Sequence, residues 1–128
     1  MARRAPGCIV LLATVCALPA GAHHSDADYD TKTSFTLTGT LMDVQWNNPH
    51  ILLFVAADAY TYRIEWITLT GAAVTGVSRE QFTPGEPIVV VGSHHRDPDT
   101  AVIARIQQIY LPADSWQWQV PAGGGRSP

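Results

Sequence analysis

The sequence predicts an all-β fold: a small five-stranded OB-like Greek-key barrel with one short helix between strands 3 and 4. Three observations predict it. Apolar and polar residues alternate over segments of strand length, and these are separated by Gly, Pro, Asn and Asp clusters. The first segment is long and carries Gly39 at its middle, where a strand of a small closed barrel has to bend. A single Ala/Gly/Thr-rich stretch with helical character interrupts the series after the third segment. A β-sandwich is the alternative architecture, and periodicity alone does not separate the two.

The elements follow in order. Residues 35–46 alternate, with Phe35, Leu37, Leu41 and Val44 directed inward and a register change near Met42. Asn47-Asn48-Pro49 is a turn. Residues 50–57 are almost continuously apolar and read as a buried strand. The turn Ala57-Asp58-Ala59 leads into residues 60–68, which alternate again and complete a hairpin. Residues 69–77 contain Gly71 and Gly76, so they read as a short, weak helix or a loop. Ser78 to Phe82 is one more helical turn, with Ser78 as N-cap and Gln81 at the capping-box position. Residues 87–93 form a fourth strand after the turn Thr83-Pro84-Gly85-Glu86. Residues 101–111 form a fifth strand, with Val102, Ile103, Ile106, Ile109 and Leu111 as its apolar set. Trp116-Gln117-Trp118 remains available for packing. The tail, residues 121–128, is Gly-rich and reads as disordered.

The N-terminus bears a different pattern. Arg3 and Arg4 precede an uncharged apolar run, Pro19 ends the run, and Ala20-x-Ala22 follows. This is the tripartite form of a secretory signal peptide, residues 1–22. The run is shorter than the roughly 20 apolar residues of a permanent span. Both cysteines, Cys8 and Cys16, lie within it, so the mature chain has neither a disulfide framework nor thiolate chemistry. Cleavage after Ala22 leaves one domain, residues 23–120, and a periplasmic or secreted protein with no membrane span. Arg3 and Arg4 are the only charges of the signal, so its removal takes the formal net charge from -3 to -5. An acidic chain without a basic stripe is a poor partner for nucleic acid or an anionic membrane.

The combination of Ala22-His23-His24-Ser25, Trp46-Asn47-Asn48-Pro49-His50, Glu65-Trp66 and the turn Thr83-Pro84-Gly85-Glu86 resembles the DUF6152 family of small exported bacterial proteins. That family shows an Ala-His-His-Ser start and a Trp-x-Asn-Pro-His motif. The resemblance covers nearly all of residues 20–118 and implies an exported, OB-like barrel. It implies no established activity. The chain departs from the family pattern at residues 69–77, which are unusually rich in Ala, Gly and Thr.

The histidines carry the chemistry to be tested. A mature N-terminal His23 offers its α-amine and a ring nitrogen to one ion, and His24 adds a neighbouring ring. Imidazole suits copper, nickel and zinc, and copper stands at the top of the affinity order. His50, just after the Asn48-Pro49 turn, is the candidate third ligand. His94 and His95 are the alternates, placed at the end of the fourth strand. The structural alternative is that His50 is a turn residue and that His94 and His95 are solvated at a hairpin.

Asp26, Asp28 and Asp30 alternate after the histidines, but no glycine-punctuated calcium loop follows, so they read as a solvated acidic arm. Glu65 reads as a cross-strand partner for Arg63 or Arg105. Absence of a Ser-His-Asp order, a phosphate loop and a cysteine site points to a non-catalytic protein. An enzyme would instead pair Glu65 with His50. The leading function is thus an exported binding protein with copper as candidate cofactor. The alternative is an envelope barrel that binds a protein or small ligand through aromatic residues such as Trp46 and Trp66, with structural histidines.

Overall fold

The computed structural model describes residues 26–121. The signal segment, His23, His24 and the tail from residue 122 onward lie outside the described residues. The chain forms six strands: β1 (Phe35–Gln45), β2 (Leu52–Ala57), β3 (Tyr60–Glu65), β4 (Pro87–His94), β5 (Val102–Leu111) and β6 (Trp116–Gln119). One short helix, α1 (Leu69–Val74), sits between β3 and β4.

β1 is the hinge of the barrel. Its first half, from Phe35 to Thr40, pairs with β4, and its second half, from Thr40 to Gln45, pairs with β2. The change of partner is why Gly39 is required. A Cβ there would lie 2.4 Å from the Ala56 carbonyl oxygen and 2.8 Å from Val55 Cγ1. Pairing with β2 then slips between Leu41 and Asp43, which leaves Met42 as an extra, exposed residue. The expected register change is therefore a β-bulge, and it lets Leu41 and Val44 both point inward despite an odd spacing.

β2 and β3 form the expected hairpin, from Ala57↔Tyr60 to Leu52↔Glu65. β3 then pairs in parallel with β5 through Arg63↔Val102 and Ile64↔Ile103. β5 pairs antiparallel with β4. The cycle β1-β2-β3-β5-β4 closes a five-stranded barrel, an order compatible with the OB type. A second irregularity, between Val91 and Ser93, puts extra residues on β5, and Arg105 takes up a positive φ of 50° there. This explains the three-residue step from Ile103 to Ile106, both buried.

The core consists of the inward residues of every barrel strand: Leu37, Leu41, Val44, Leu53, Val55, Ile64, Ile88, Val90, Ile103 and Ile109 among them. Burial of each such side chain stabilises the fold by about 1.5–3 kcal/mol before entropy is set against it. α1 begins at Thr68, whose hydroxyl accepts the Gly71 N–H at 3.0 Å. Ser78 caps the following turn, its N–H donating to Gln81 Oε1 at 2.9 Å as expected.

β6 extends the expected five strands to six. Trp116-Gln117-Trp118 does more than pack: it adds a ladder to β5 from Gln108↔Gln119 to Leu111↔Trp116. Trp118 faces the core, where its ring stands edge-on to Trp66 at 5.2 Å. Phe82, fully buried, meets Trp66, Trp116 and Trp46 at 5.5, 5.6 and 6.2 Å. Together these rings close the barrel beside the C-terminal end of β1. Among the described residues no helix is long and apolar enough to cross a membrane.

Candidate functional site

The other end of β1 is closed differently, by the segment that precedes it. Residues 26–34 form an arm that lies against the end of β4. Tyr29 pairs with His95 in an isolated antiparallel bridge. The Asp30 N–H donates to the His94 carbonyl at 3.0 Å, and the Arg96 N–H donates to the Asp28 carbonyl at 2.8 Å. Arg96 Nε donates to the Tyr29 carbonyl at 3.1 Å. The expected solvated acidic arm is thus corrected to a docked one. It stays attached because it makes backbone hydrogen bonds at Asp28, Tyr29 and Asp30 and buries one aromatic anchor, Tyr29, only 3% exposed.

Tyr29 is held on three sides. Its ring meets the His95 ring edge-on at 5.6 Å. Its hydroxyl donates to Glu65 Oε2 at 3.4 Å. Glu65 in turn accepts from Arg63 at 2.8 Å. Burial, and next the charge of Glu65, push the Tyr29 hydroxyl up to about 12. Arg63 stands two residues before Glu65 on β3, so the two share one face of a single strand. The expected cross-strand pair with Arg63 is corrected to this same-strand pair.

Between arm and β4 lies a cleft of about 490 Å³ lined by Asp30, Thr33, Ser34, Phe35, His94, His95, Arg96 and Pro98. The Thr33 hydroxyl and, next, the Lys32 amide hydrogen-bond the Asp30 carboxylate and hold it below the usual carboxylate range. At the hairpin that follows, the Asp99 amide and the Thr100 hydroxyl do the same for Asp97.

The adjacent histidines of this cleft are bonded in opposite senses. His94 Nδ1 lies 2.6 Å from the His95 carbonyl oxygen. A carbonyl only accepts, so Nδ1 carries the proton. His95 Nδ1 accepts the Asp97 N–H at 3.1 Å, so in the neutral ring the proton sits on Nε2. The His94 ring is further fixed by Phe35 at 4.9 Å and Tyr62 at 6.0 Å.

His50 is placed elsewhere. It is exposed in the loop before β2, where Ile51 N–H donates to the Ile67 carbonyl at 2.9 Å. It shares no hydrogen bond or ring contact with His94 or His95. Glu65 is bonded to Tyr29 and Arg63 and is not hydrogen-bonded to His50. Among the described residues no three His, Cys, Asp or Glu side chains are grouped as a metal site. His23 and His24 lie outside the described residues.

The aromatic residues divide between the two ends of the barrel. Trp66 and Trp118 are buried, and Trp46 and Trp116 pack half-buried on the core. Sequence reasoning did not find the role of Tyr29. Its one available signal is a lone aromatic residue at the centre of an otherwise acidic arm.

Fold and site together define a small closed β-barrel with a docked N-terminal arm and a histidine-lined cleft beneath it. The chain belongs to a family of unknown function, DUF6152, whose model matches residues 11–104. No curated protein matches it.

Proposed function

We propose that the protein is an exported, non-catalytic binding module of the periplasm or cell exterior that captures a transition metal, copper before others, through His23 and His24. The observation that supports this most is the docking of the arm. Tyr29 and Asp30 are bonded to His95, His94 and Arg96. The chain carrying the two N-terminal histidines is therefore tethered beside the cleft that contains His94 and His95. His24 precedes Tyr29 by five residues, which is at most about 18 Å of extended chain. His50 is on a separate loop and has no such tether.

Cleavage after Ala22 would free the His23 amine next to its own imidazole. Amine and imidazole nitrogens together suit Cu(II), which leads the divalent series. The test is a Cu(II) titration of the mature chain beginning at His23, beside a chain with one additional N-terminal Ala. The extension removes the amine–imidazole pair from a single residue and leaves every side chain in place. Weaker binding by the extended chain is expected, whereas equal affinity overturns the N-terminal chelate.

A further inference from the structure

We infer that the cleft between the arm and β4 binds a neutral oligosaccharide, with hydrogen-bonding side chains around its hydroxyls and a strip of aromatic rings against its apolar faces. The inference goes beyond metal capture and uses only residues 26–121. At about 490 Å³ the cleft has the size of a small-molecule site, in which a few fixed polar groups stand among apolar ones. Asp30 and Arg96 are the charged residues of its lining, one of each sign. An anion entering the cleft meets the Asp30 carboxylate, and a cation meets the Arg96 guanidinium. A ligand without net charge escapes both repulsions.

Donors and acceptors alternate around the cleft. The Asp30 carboxylate, fixed by the Lys32 amide and the Thr33 hydroxyl, is an acceptor. Ser34 donates its hydroxyl proton to Gln107 Oε1 at 3.0 Å, so its oxygen is left to accept. Arg96 commits Nε to the Tyr29 carbonyl at 3.1 Å and keeps its Nη donors. The two imidazoles are complementary because their Nδ1 atoms are bonded in opposite senses: His94 presents Nε2 as an acceptor, and His95 presents Nε2–H as a donor. Neither Nε2 has a hydrogen-bond partner among the described residues. Such a mixture suits hydroxyl groups, each of which donates once and accepts twice. An amino-acid zwitterion would engage Arg96 and Asp30 and leave the imidazoles unmatched. The apolar side of the site is longer than the cleft. Phe35, in the lining, is followed by Tyr62 at 6.2 Å, and Tyr62 by Tyr60 at 6.1 Å. Tyr60 ends the strip and is 51% exposed. Three rings in a row exceed one pyranose, which makes an oligosaccharide the fitting ligand.

The experiment titrates the isotope-labelled mature chain, metal-free, with maltotriose, cellotriose and chitotriose, and follows its amide resonances. Leucine and inorganic phosphate serve as the zwitterionic and anionic controls. At least one trisaccharide is expected to shift the amides of Ser34, Phe35, His94 and His95, with a dissociation constant of about 1 mM or tighter. Two variants follow. Asp30→Asn keeps the shape of the side chain and removes its charge, and should weaken trisaccharide binding by about tenfold. Tyr60→Ala changes an exposed residue outside the core and should weaken it by about threefold or more. No shift in the cleft with any trisaccharide overturns the inference, as do shifts gathered at Trp46 and Trp116 instead. So does capture of leucine or phosphate in place of the sugars, and phosphate binding that Asp30→Asn tightens would identify an anion site. Unchanged affinity in Asp30→Asn overturns the role of the cleft, and unchanged affinity in Tyr60→Ala overturns that of the strip.

Discussion

Tyr29 is joined to Glu65 across 36 positions of sequence by a hydrogen bond of 3.4 Å, and this contact ties the N-terminal arm to β3. The backbone bridge to His95 and the Arg96 bond to the Tyr29 carbonyl hold the same residue. Replacing the anchor therefore tests the docking. Tyr29→Ala is expected to cost about 3 kcal/mol, the lower end for deletion of a large buried aromatic ring. It should also speed exchange of the Asp30 amide, whose partner is the His94 carbonyl. Tyr29→Phe keeps the ring and loses only the hydroxyl bond, at a cost of about 1 kcal/mol. Denaturant midpoints with unchanged slopes give both values. A Tyr29→Ala protein as stable as the wild type would show that the arm is not anchored there.

The same contact sets a pH dependence. Tyr29 is pushed from 10.0 up to about 12 by burial first and by the Glu65 charge second. The unfolded chain gives up this proton near pH 10, while the folded protein keeps it. The contribution to stability is complete below pH 10 and is lost as the pH climbs through about 12. Tyrosinate absorbance of the folded protein should thus include one late-titrating group, and Tyr29→Phe should abolish it and flatten the alkaline loss of stability. At the acid end the sign reverses. The Asp97 carboxylate is held below 3.8 by the Asp99 amide and the Thr100 hydroxyl, so its contribution is present above that pH and disappears as acid protonates it.

Gly39 permits a third prediction, about the bend of β1. The obstacle to a Cβ there is a backbone oxygen, Ala56 O at 2.4 Å, and not the far end of a flexible side chain. Gly39→Ala must push β2 away from β1 and is expected to cost about 3 kcal/mol, the upper part of the range for overpacking. Thermal unfolding of the variant would measure this. A midpoint within a degree of the wild type would mean that β1 bends without the close approach.

How much of this was legible in the sequence follows from the range of each interaction. The barrel strands were legible because their signal is local. Leu37, Leu41 and Val44 report an inward face, and the three-residue step from Leu41 to Val44 reports the bulge. The capping box at Ser78 and Gln81 was legible for the same reason. The docking of the arm was not, because Tyr29 finds its partners at Glu65, His95 and Arg96, far along the chain. Opposite proton placement in His94 and His95 was equally hidden, since two adjacent histidines read alike until the carbonyl and amide that face each ring are known. β6 escaped because a four-residue strand carries almost no periodicity, and its pairing with β5 depends on the turn through Pro112 and Ser115.

β6 provides the last prediction. Trp118 lies on the inner face of this strand, and its ring is packed edge-on against Trp66. Trp66 in turn covers Phe82, the side chain that closes this end of the core. Family matching ends at residue 104, before β6 begins, yet the core is incomplete without it. Trp118→Ala is expected to lower stability by about 3–5 kcal/mol, the cost of deleting a buried indole and leaving a cavity against Trp66. A chain ended after Asp114 should lose at least as much, because it also loses the Trp116 contact with Phe82 and the ladder to β5. Trp66 fluorescence should shift to longer wavelength in both variants as water reaches the indole. The His94 ring rests on Phe35 and Tyr62 and has no ring contact with Trp118, so Cu(II) affinity at sub-denaturing temperature should be unaffected in Trp118→Ala. Loss of metal affinity together with stability would mean that the two ends of the barrel are coupled, and the cleft would then depend on a core that β6 completes.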